Sequence, residues 1–397
     1  MLGGLVLRET VARSDIDPAL IEELYFGIVS PPSEGTNVSR EALFDSGLPP
    51  TIPCTTVNRY CASAAEAAVS IAARITAGYI DIGLAGGVES ISSVRALFSQ
   101  EATDFFQDLA KAKTTSQRLA QLGRFKPALL APHPPGIKEP TTGLSMGQSG
   151  DLMARLFKIG REEQDKFAVD SHLKAHNAWE RGFYKSHVMI VGTPEGAVVE
   201  RDTDIRADTS LEKLATLKPV FYKDGTITAG NASPLTDGAS AVLLMNETKA
   251  RELKLKPLGA IRAIAASGVD IQKEPLLIGP VYAIPRALKK AGITWKDIDL
   301  IEMHEAFAGQ VLATIKAIES KEWAQEKLGL GSAIGEVNLN KLNVNGGSIP
   351  LGHPFGATGT RMILQALHEL RARQKNLALI SICAAGGMGM VLIVEAV

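Results

Sequence analysis

The sequence predicts an α/β protein built from two related halves, and three observations lead there. Apolar runs of strand length alternate with helical runs, each closed by glycine or proline. A strand, a reactive side chain, a helix and a second strand with Gly-Gly then occur twice in the same order. The first series is 23–29, Cys61 with a small-residue helix, and the strand carrying Gly86-Gly87; the second is 298–303, His353, a helix over 356–371, and 377–383 with Gly386-Gly387. Between the two, 94–222 changes texture, with more charge, Pro127, Pro132, Pro134 and Pro135, and amphipathic helical pieces such as 161–181. The expected organisation is a first half over 1–93 and 226–247, an inserted loop domain over 94–225, and a second half over 248–397. In such sheets ligands meet the loops between strands and helices.

In chain order, 5–11 reads as the later part of a helix and 16–22 as a short helical piece. Residues 23–29 form a strand, and Pro31-Pro32 break the chain after it. A helix is expected over 37–46 and a strand over 53–57, leading into the alanine-rich helix that opens at Cys61. Gly78 stops that helix, since glycine takes the left-handed position past a helix end without strain. The strand 81–89 is expected to end in a Gly86-Gly87 turn. Beyond the insertion, 241–245 and 257–266 read as strands and 282–291 as a helix stopped by Gly292. The strand 297–303 delivers His304.

Composition narrows the function classes. The 397 residues suggest two or three domains, and 45% hydrophobic with 21% charged residues is ordinary for a globular protein. A net charge of −1 supplies no basic field to recruit nucleic acid. Three widely spread cysteines (Cys54, Cys61, Cys383) argue for a reducing compartment and against a disulfide framework. No apolar run reaches the roughly 18 residues of a membrane span, and no signal-peptide pattern opens the chain. Thirty-seven glycines against 5% aromatics suggest close backbone packing. Lys111, Lys113, Arg118, Arg124 and Lys126 follow one another with no acid between Asp108 and Glu139. That run reads as a solvated face or as a docking surface for a partner or an anionic membrane, the solvated face being the simpler account.

Four residues carry the chemistry. Cys61 heads a helix so apolar that it belongs inside the protein, and a helix N-terminus favours a thiolate. Taken alone it could equally be an ordinary buried small residue. His353, pinned between Gly352 and Pro354, has a fixed backbone that suits an imidazole able to accept a thiol proton. Cys383 ends a buried strand, and the glycine turn after it could turn N–H groups toward a developing oxyanion. His304 stands at a strand end in His304-Glu305-Ala306-Phe307. Each has an inert structural reading, but all four fall at element ends, and an inert set of four is improbable. Metal binding is the weaker account, because neither C-x-x-C nor H-x-x-x-H spacing occurs at these positions; His172 and His176 are four apart on an amphipathic helix and read as surface residues. The glycine-rich 356–359 fits no dinucleotide or Walker fingerprint.

Together, Asn58-Arg59-Tyr60-Cys61-Ala62-Ser63, Thr228-Ala229-Gly230-Asn231-Ala232-Ser233, His304-Glu305-Ala306-Phe307, Gly352-His353-Pro354 and Cys383-Ala384-Ala385-Gly386-Gly387 resemble the ordered motif set of the thiolases over nearly the whole chain. His-Glu-Ala-Phe in place of Asn-Glu-Ala-Phe, with Ala-Lys-Thr-Thr-Ser-Gln-Arg-Leu at 112–119, resembles the thiolase β-subunit of trifunctional fatty-acid oxidation complexes. The resemblance implies a thiolase fold of two βαβαβαββ halves in a five-layer αβαβα arrangement, here without the strand that opens the first half. It implies thiolytic cleavage of 3-ketoacyl-CoA by CoA, with Cys61 as nucleophile, His353 as its base and Cys383 as proton shuttle. Within it, His304 and His353 would hold the enolate oxygen, and the backbone N–H groups of Cys61 and Ala385 would form a second oxyanion hole. Met146, Ala229, Ser233 and Phe307 match positions lining the pantetheine and thioester site. Ala385 stands where many thiolases have glycine, a change that spares the N–H. No metal and no permanently bound cofactor are implied, CoA being a co-substrate. The resemblance further implies a homodimer or dimer of dimers, a hydratase/dehydrogenase α-subunit partner, peripheral membrane contact through the loop domain, and residence in the mitochondrial matrix, or in the cytoplasm for a bacterial protein. The alternatives are the biosynthetic acetyl-CoA acetyltransferase direction, a ketosynthase-type condensing enzyme, which usually lacks a second catalytic cysteine, and a catalytically silent scaffold or lipid-binding subunit.

Overall fold

The computed structural model describes residues 1–95, 97–132, 138–193 and 196–397; Pro134 and Pro135 lie outside them. The chain opens with α1 (Leu2–Ser14), β1 (Glu23–Gly27), α2 (Val38–Ser46), β2 (Cys54–Val57), α3 (Ser63–Thr76) and β3 (Ile82–Glu89). The insertion follows with α4 (Gln100–Lys111), α5 (Thr115–Leu122), α6 (Met146–Leu156), α7 (Arg161–Glu180), the short pair β4 (Val191–Gly192) and β5 (Val198–Val199), and α8 (Leu211–Ala215). Then come β6 (Gly238–Met245), α9 (Glu247–Glu252), β7 (Gly259–Gly268), α10 (Gly279–Ala291), β8 (Leu300–Met303) and α11 (Ala308–Glu319). The chain finishes with α12 (Lys321–Leu328), α13 (Ser348–Leu351), α14 (Thr358–Arg373), β9 (Leu377–Ala384) and β10 (Met388–Ala396).

Two four-stranded sheets result, ordered β2-β1-β3-β6 and β7-β10-β9-β8. In the first, β1 runs parallel to β2 and β3, and β6 returns antiparallel to β3; in the second, β8 is parallel to β9, and β10 returns antiparallel to β9. The strand pair β3/β6 in one half thus answers β9/β10 in the other, the insertion taking the place of a three-residue turn. Helices α3 and α14 touch each other between the sheets, while α1 and α2 cover the outer face of the first sheet and α10 that of the second. Those contacts make five layers, α-β-α-β-α. Beneath them lies a simple chemical reason: β3 and β9 are buried at every position, so each sheet must be covered on both faces.

Small residues set how closely the layers approach. A Cβ on Gly359 of α14 would overlap the backbone and side chain of Ala65 on α3, so the central helices meet backbone to backbone. Gly86 and Gly87 do the same work inside β3. They form no turn, contrary to the sequence reading: a side chain on Gly86 would strike the Ser240 carbonyl and Phe26, and one on Gly87 the Gly356 carbonyl. By contrast, Gly386 (φ 74°) and Gly387 (φ 69°) do turn the chain between β9 and β10. Gly78 stops α3 with φ 73° as expected, and Gly292 stops α10 with φ 67°.

Other boundaries move. Residues 5–11 are the middle of α1, not its later part. Of 16–22 only Pro18–Leu20 is helical, a single 3₁₀ turn capped by Asp17, because Ile21 and Glu22 extend toward β1. Asp297 belongs to a 3₁₀ turn at Trp295–Asp297, so the strand ahead of His304 is only Leu300–Met303. The last strand, β10, has no counterpart in the sequence reading. His172 is buried rather than a surface residue: its Nδ1 accepts the Arg206 N–H at 3.1 Å, and burial holds its pKa down at about 4. Among the described residues β6 pairs only with β3, and its free side opens on a cleft of about 2760 Å³ between α1 and the 254–261 segment. Neither Cys61, His304, His353 nor Cys383 lines that cleft.

Candidate active site

Cys61 lies in a tight turn between β2 and α3. Asn58 Oδ1 accepts the Tyr60 N–H at 2.9 Å, which lets Tyr60 hold a left-handed φ of 47°. The Ser63 hydroxyl accepts the Arg59 N–H at 2.8 Å and donates to the Tyr60 carbonyl at 2.6 Å. The helix itself starts at Ser63 with Ala62 as N-cap, so Cys61 precedes the helix instead of being its first residue. Gly27 at the end of β1 admits this turn, since a side chain there would press on the Ser63 and Ala64 backbone.

The histidines come from the second half. The His304 N–H donates to the Ser381 carbonyl at 2.8 Å, continuing the β8/β9 ladder by one residue. Behind it Glu305, fully buried, accepts from Ser171 Oγ at 2.8 Å, Asn343 Nδ2 at 2.6 Å and the Ile349 N–H at 3.1 Å. That carboxylate fastens the 343–349 loop beneath the site. His353 follows Gly352 (φ 83°), and its N–H donates to Thr236 Oγ1 at 3.2 Å. The two imidazoles lie 4.0 Å apart between ring centres, inclined by 47°. A ring nitrogen of each and the Cys61 sulfur lie within 4.8 Å of one another. Nδ1 of His304 contacts Ser348 Oγ at 3.0 Å and Nδ1 of His353 contacts Thr358 Oγ1 at 2.7 Å, while both Nε2 atoms are buried without a partner among the described residues.

Cys383 is the penultimate residue of β9, buried, and close enough to Cys61 for a charge on Cys61 to raise its pKa. Just beyond it the Ala385 N–H, like the Cys61 N–H, acts to lower the pKa of the Cys61 thiol. The Gly386 N–H instead donates to the buried Glu139 carboxylate at 2.9 Å, tying the insertion to this turn.

Electrostatically the site rests uncharged. Burial pushes the Cys61 thiol up to about 12, although the Ala385 and Cys61 N–H groups pull it back. The helix N-terminus therefore does not give a resting thiolate, as the sequence reading expected. Burial also carries Cys383 well above the ordinary thiol value. His304 is lowered to about 3 by burial and by Arg361, and His353 well below its usual value by burial, His304 and Arg361. A neutral thiol beside a neutral imidazole can pass its proton directly, provided a substrate takes the negative charge as it forms. The three converging donor atoms could also close on a thiophilic ion, which would occupy the same lone pairs.

Of the four matched lining positions, Phe307 belongs to the hydrophobic cluster that also holds Cys383, and Met146 packs against that cluster. Ser233 donates through both N–H and Oγ to the Ala306 carbonyl, at 3.0 and 3.1 Å. Ala229 stands apart in an exposed turn. Sequence reasoning missed Glu89, Glu139, Ser348, Thr358 and Arg361, which touch the reactive residues or their loops without forming a motif with them.

Known proteins share this architecture. The description "Thiolase, N-terminal domain" matches residues 1–248 and "Thiolase, C-terminal domain" residues 255–396. A 3-ketoacyl-CoA thiolase of Serratia proteamaculans is 47% identical over 99% of this chain and 91% of its own length, and one of Photobacterium profundum is 45% identical over 100% and 91%. The crystal structure of the Bacillus anthracis acetyl-CoA acetyltransferase superimposes with TM-score 0.85 at 33% identity, covering 100% of this chain and 92% of that one. Human mitochondrial 3-ketoacyl-CoA thiolase, solved in complex with CoA, superimposes with TM-score 0.82 at 30% identity over 100% and 91%. With two matching domain families and full-length relatives of that identity, the chain belongs to the thiolase family of acyltransferases.

Proposed function

We propose that the protein is a 3-ketoacyl-CoA thiolase acting through a Cys61 thioester in fatty-acid β-oxidation. The observation that carries this reading is the meeting of Cys61, His304 and His353 within 4.8 Å, beside a second buried thiol. Cys61 gives its proton to His353 Nε2 as the sulfur attacks the 3-keto carbon, and the oxygen of that carbon leans on the Cys61 and Ala385 N–H groups. The C2–C3 bond then breaks, its electron pair passing to the acetyl-CoA enolate, whose oxygen is held by His304 and by the His353 imidazolium. Cys383 protonates the enolate carbon, and acetyl-CoA leaves. The Cys383 thiolate takes the proton of an incoming CoA thiol, whose sulfur attacks the acyl group on Cys61. Cys61 departs as a thiolate and recovers its proton from His353. Two thiols and one imidazole return to their starting state, with no metal or bound cofactor in the cycle. Met146, Ser233 and Phe307 form the thioester wall, with Ala229 at its exposed rim.

The chain divides in this reading into a first half over 1–93 and 226–247, an inserted loop domain over 94–225 and a second half over 248–397, so the site lies at their junction. A homodimer or dimer of dimers is proposed, with a hydratase/dehydrogenase partner and an anionic membrane surface as contacts of the insertion. Support for the surface comes from Leu97, Phe98, Leu119, Leu122 and Leu130, which are exposed, as are Lys111, Lys113 and Arg118. No described helix is long and apolar enough to cross a membrane. The bacterial origin of the two relatives at 47% and 45% identity favours the cytoplasm over the mitochondrial matrix, the human neighbour at 30% being mitochondrial. A thiolysis assay with 3-ketoacyl-CoAs of several chain lengths tests the function on wild type, Cys61→Ala and Cys383→Ala. Turnover of some length by wild type, lost in both variants, is expected; a wild type inert toward every length ends the reading.

A further inference from the structure

The two histidines present matching Nε2 atoms to the same space, yet their Nδ1 partners differ in kind. Ser348 Oγ, which contacts His304 Nδ1, also accepts a hydrogen bond from Arg361 Nη2 at 3.0 Å. A guanidinium only donates, so among the described residues the single Ser348 hydroxyl proton has one acceptor within reach, His304 Nδ1. Nδ1 is then the unprotonated nitrogen of a neutral ring, and Nε2 carries the hydrogen. Thr358 works the other way. Its Oγ1 lies 2.7 Å from His353 Nδ1 and 3.1 Å from the Pro354 carbonyl oxygen, which can only accept. Both contacts are hydrogen bonds only if Thr358 donates to Pro354 and accepts from His353 Nδ1–H. His353 Nε2 is then a bare lone pair.

We propose that Ser348 with Arg361, and Thr358 independently, are positioning residues that hold His304 and His353 in opposite tautomers, one offering a hydrogen to the enolate oxygen and its neighbour a lone pair to the Cys61 thiol. The proposal rests on the acyl-transfer reading and supplies its missing detail. A base that must take a thiol proton needs the lone pair on Nε2, and a donor that must meet an enolate oxygen needs the hydrogen there. With both rings alike, the site would hold either two donors and no base or two bases and no donor. Arg361 adds a second effect: its fixed positive charge behind His304 opposes protonation of that ring, so the donor stays neutral.

The test joins spectroscopy to kinetics. Protein labelled with ¹⁵N histidine is examined by long-range nitrogen–proton correlation, with His304→Asn and His353→Asn used for assignment. His304 is expected as the Nε2–H form and His353 as the Nδ1–H form; His304 protonated on Nδ1 would overturn the proposal. In Ser348→Ala the His304 signals should lose the single-tautomer pattern while those of His353 stay. Thiolysis kcat should fall roughly ten- to a hundredfold, the size expected when an oxyanion donor is misdirected, with KM within about twofold. Alkylation of Cys61 by iodoacetamide should keep its wild-type rate, showing an intact fold and an intact Cys61–His353 pair. Ser348→Thr, which retains the hydroxyl, should restore kcat and the tautomer. A Ser348→Ala enzyme with wild-type kcat would refute the positioning role. Should wild type lack thiolysis altogether, the function falls, and the nitrogen spectra still decide the tautomers.

Discussion

The carboxylate of Glu89, at the end of β3, accepts the Gly356 N–H at 3.0 Å, three residues beyond His353. The same carboxylate accepts the N–H groups of Val29 and Ser30, each at 3.0 Å, and is fully buried. One side chain of the first half thereby fixes the loop that carries the base in the second. Glu89→Ala leaves three N–H groups without their acceptor and should cost about 3 kcal/mol. The fall in kcat should exceed what lost folding explains. Denaturant unfolding and thiolysis on the same preparation check this; unaltered kcat would show that the loop is held by other means.

Gly87→Ala should be far more damaging than its size suggests. The new methyl would overlap the Gly356 carbonyl oxygen and lie 2.7 Å from its carbon and 2.9 Å from the Gly27 oxygen, all backbone atoms that cannot swing aside. A loss above about 3 kcal/mol is expected. Gly331→Ala, with nothing within 4 Å of the added methyl, is the control and should match wild type in thermal unfolding.

Glu302 is pushed up to about 8, first by burial and then by Glu305 and Glu369, against the pull of Arg361. A carboxyl raised in the folded state contributes stability that is fully present below its unfolded value and lost as pH climbs through the folded one. Between pH 5 and 8, wild type should therefore lose about 1.4 kcal/mol per pH unit relative to Glu302→Gln. Urea unfolding of both proteins at pH 5, 6.5 and 8 measures the difference, and parallel curves would contradict it.

Because the Cys61 thiol lies at about 12, its reactivity near neutrality depends on His353 accepting the proton. Iodoacetamide inactivation of wild type should change little between pH 7 and 9, whereas His353→Asn should gain about tenfold per pH unit as hydroxide takes over the role of base. Chelators should leave thiolysis unchanged and added zinc should inhibit it, since the ion competes for the same sulfur and nitrogens. Activity lost to chelation would mean a resident metal.

Charge reversal at Lys111, Lys113 and Arg118 addresses the insertion's surface. Flotation with anionic vesicles should be lost in the triple glutamate variant while a short, soluble 3-ketoacyl-CoA is still cleaved normally. Equal flotation of both proteins, or capture by wild type of a hydratase/dehydrogenase subunit and not of vesicles, would remove the membrane reading.

The reactive residues were legible because the chemistry dictates residue types and the fold places them at element ends. Cys61, His304, His353 and Cys383 each announce themselves beside glycine, proline or an apolar strand. What escaped is what depends on distance across the chain. Glu139 meets Gly386 across 247 positions and Glu89 meets Gly356 across 267, so no local pattern marks them. Gly86 and Gly87 misled because a glycine pair reads locally as a turn, whereas here each yields to a neighbouring backbone. The thiolate expectation failed for a related reason: a helix terminus is visible in sequence, but the degree of burial that outweighs it is not.

The hydrogen bond from Gly386 to Glu139 has one more consequence. The turn whose Ala385 N–H eases ionisation of the reactive sulfur is braced from the insertion, outside the two sheets. A change confined to the insertion, far along the chain from Cys383, therefore reaches the reactive turn. The insertion thus belongs to the working parts of the catalytic halves, and a variant trimmed of it would leave the turn after Cys383 without its strut.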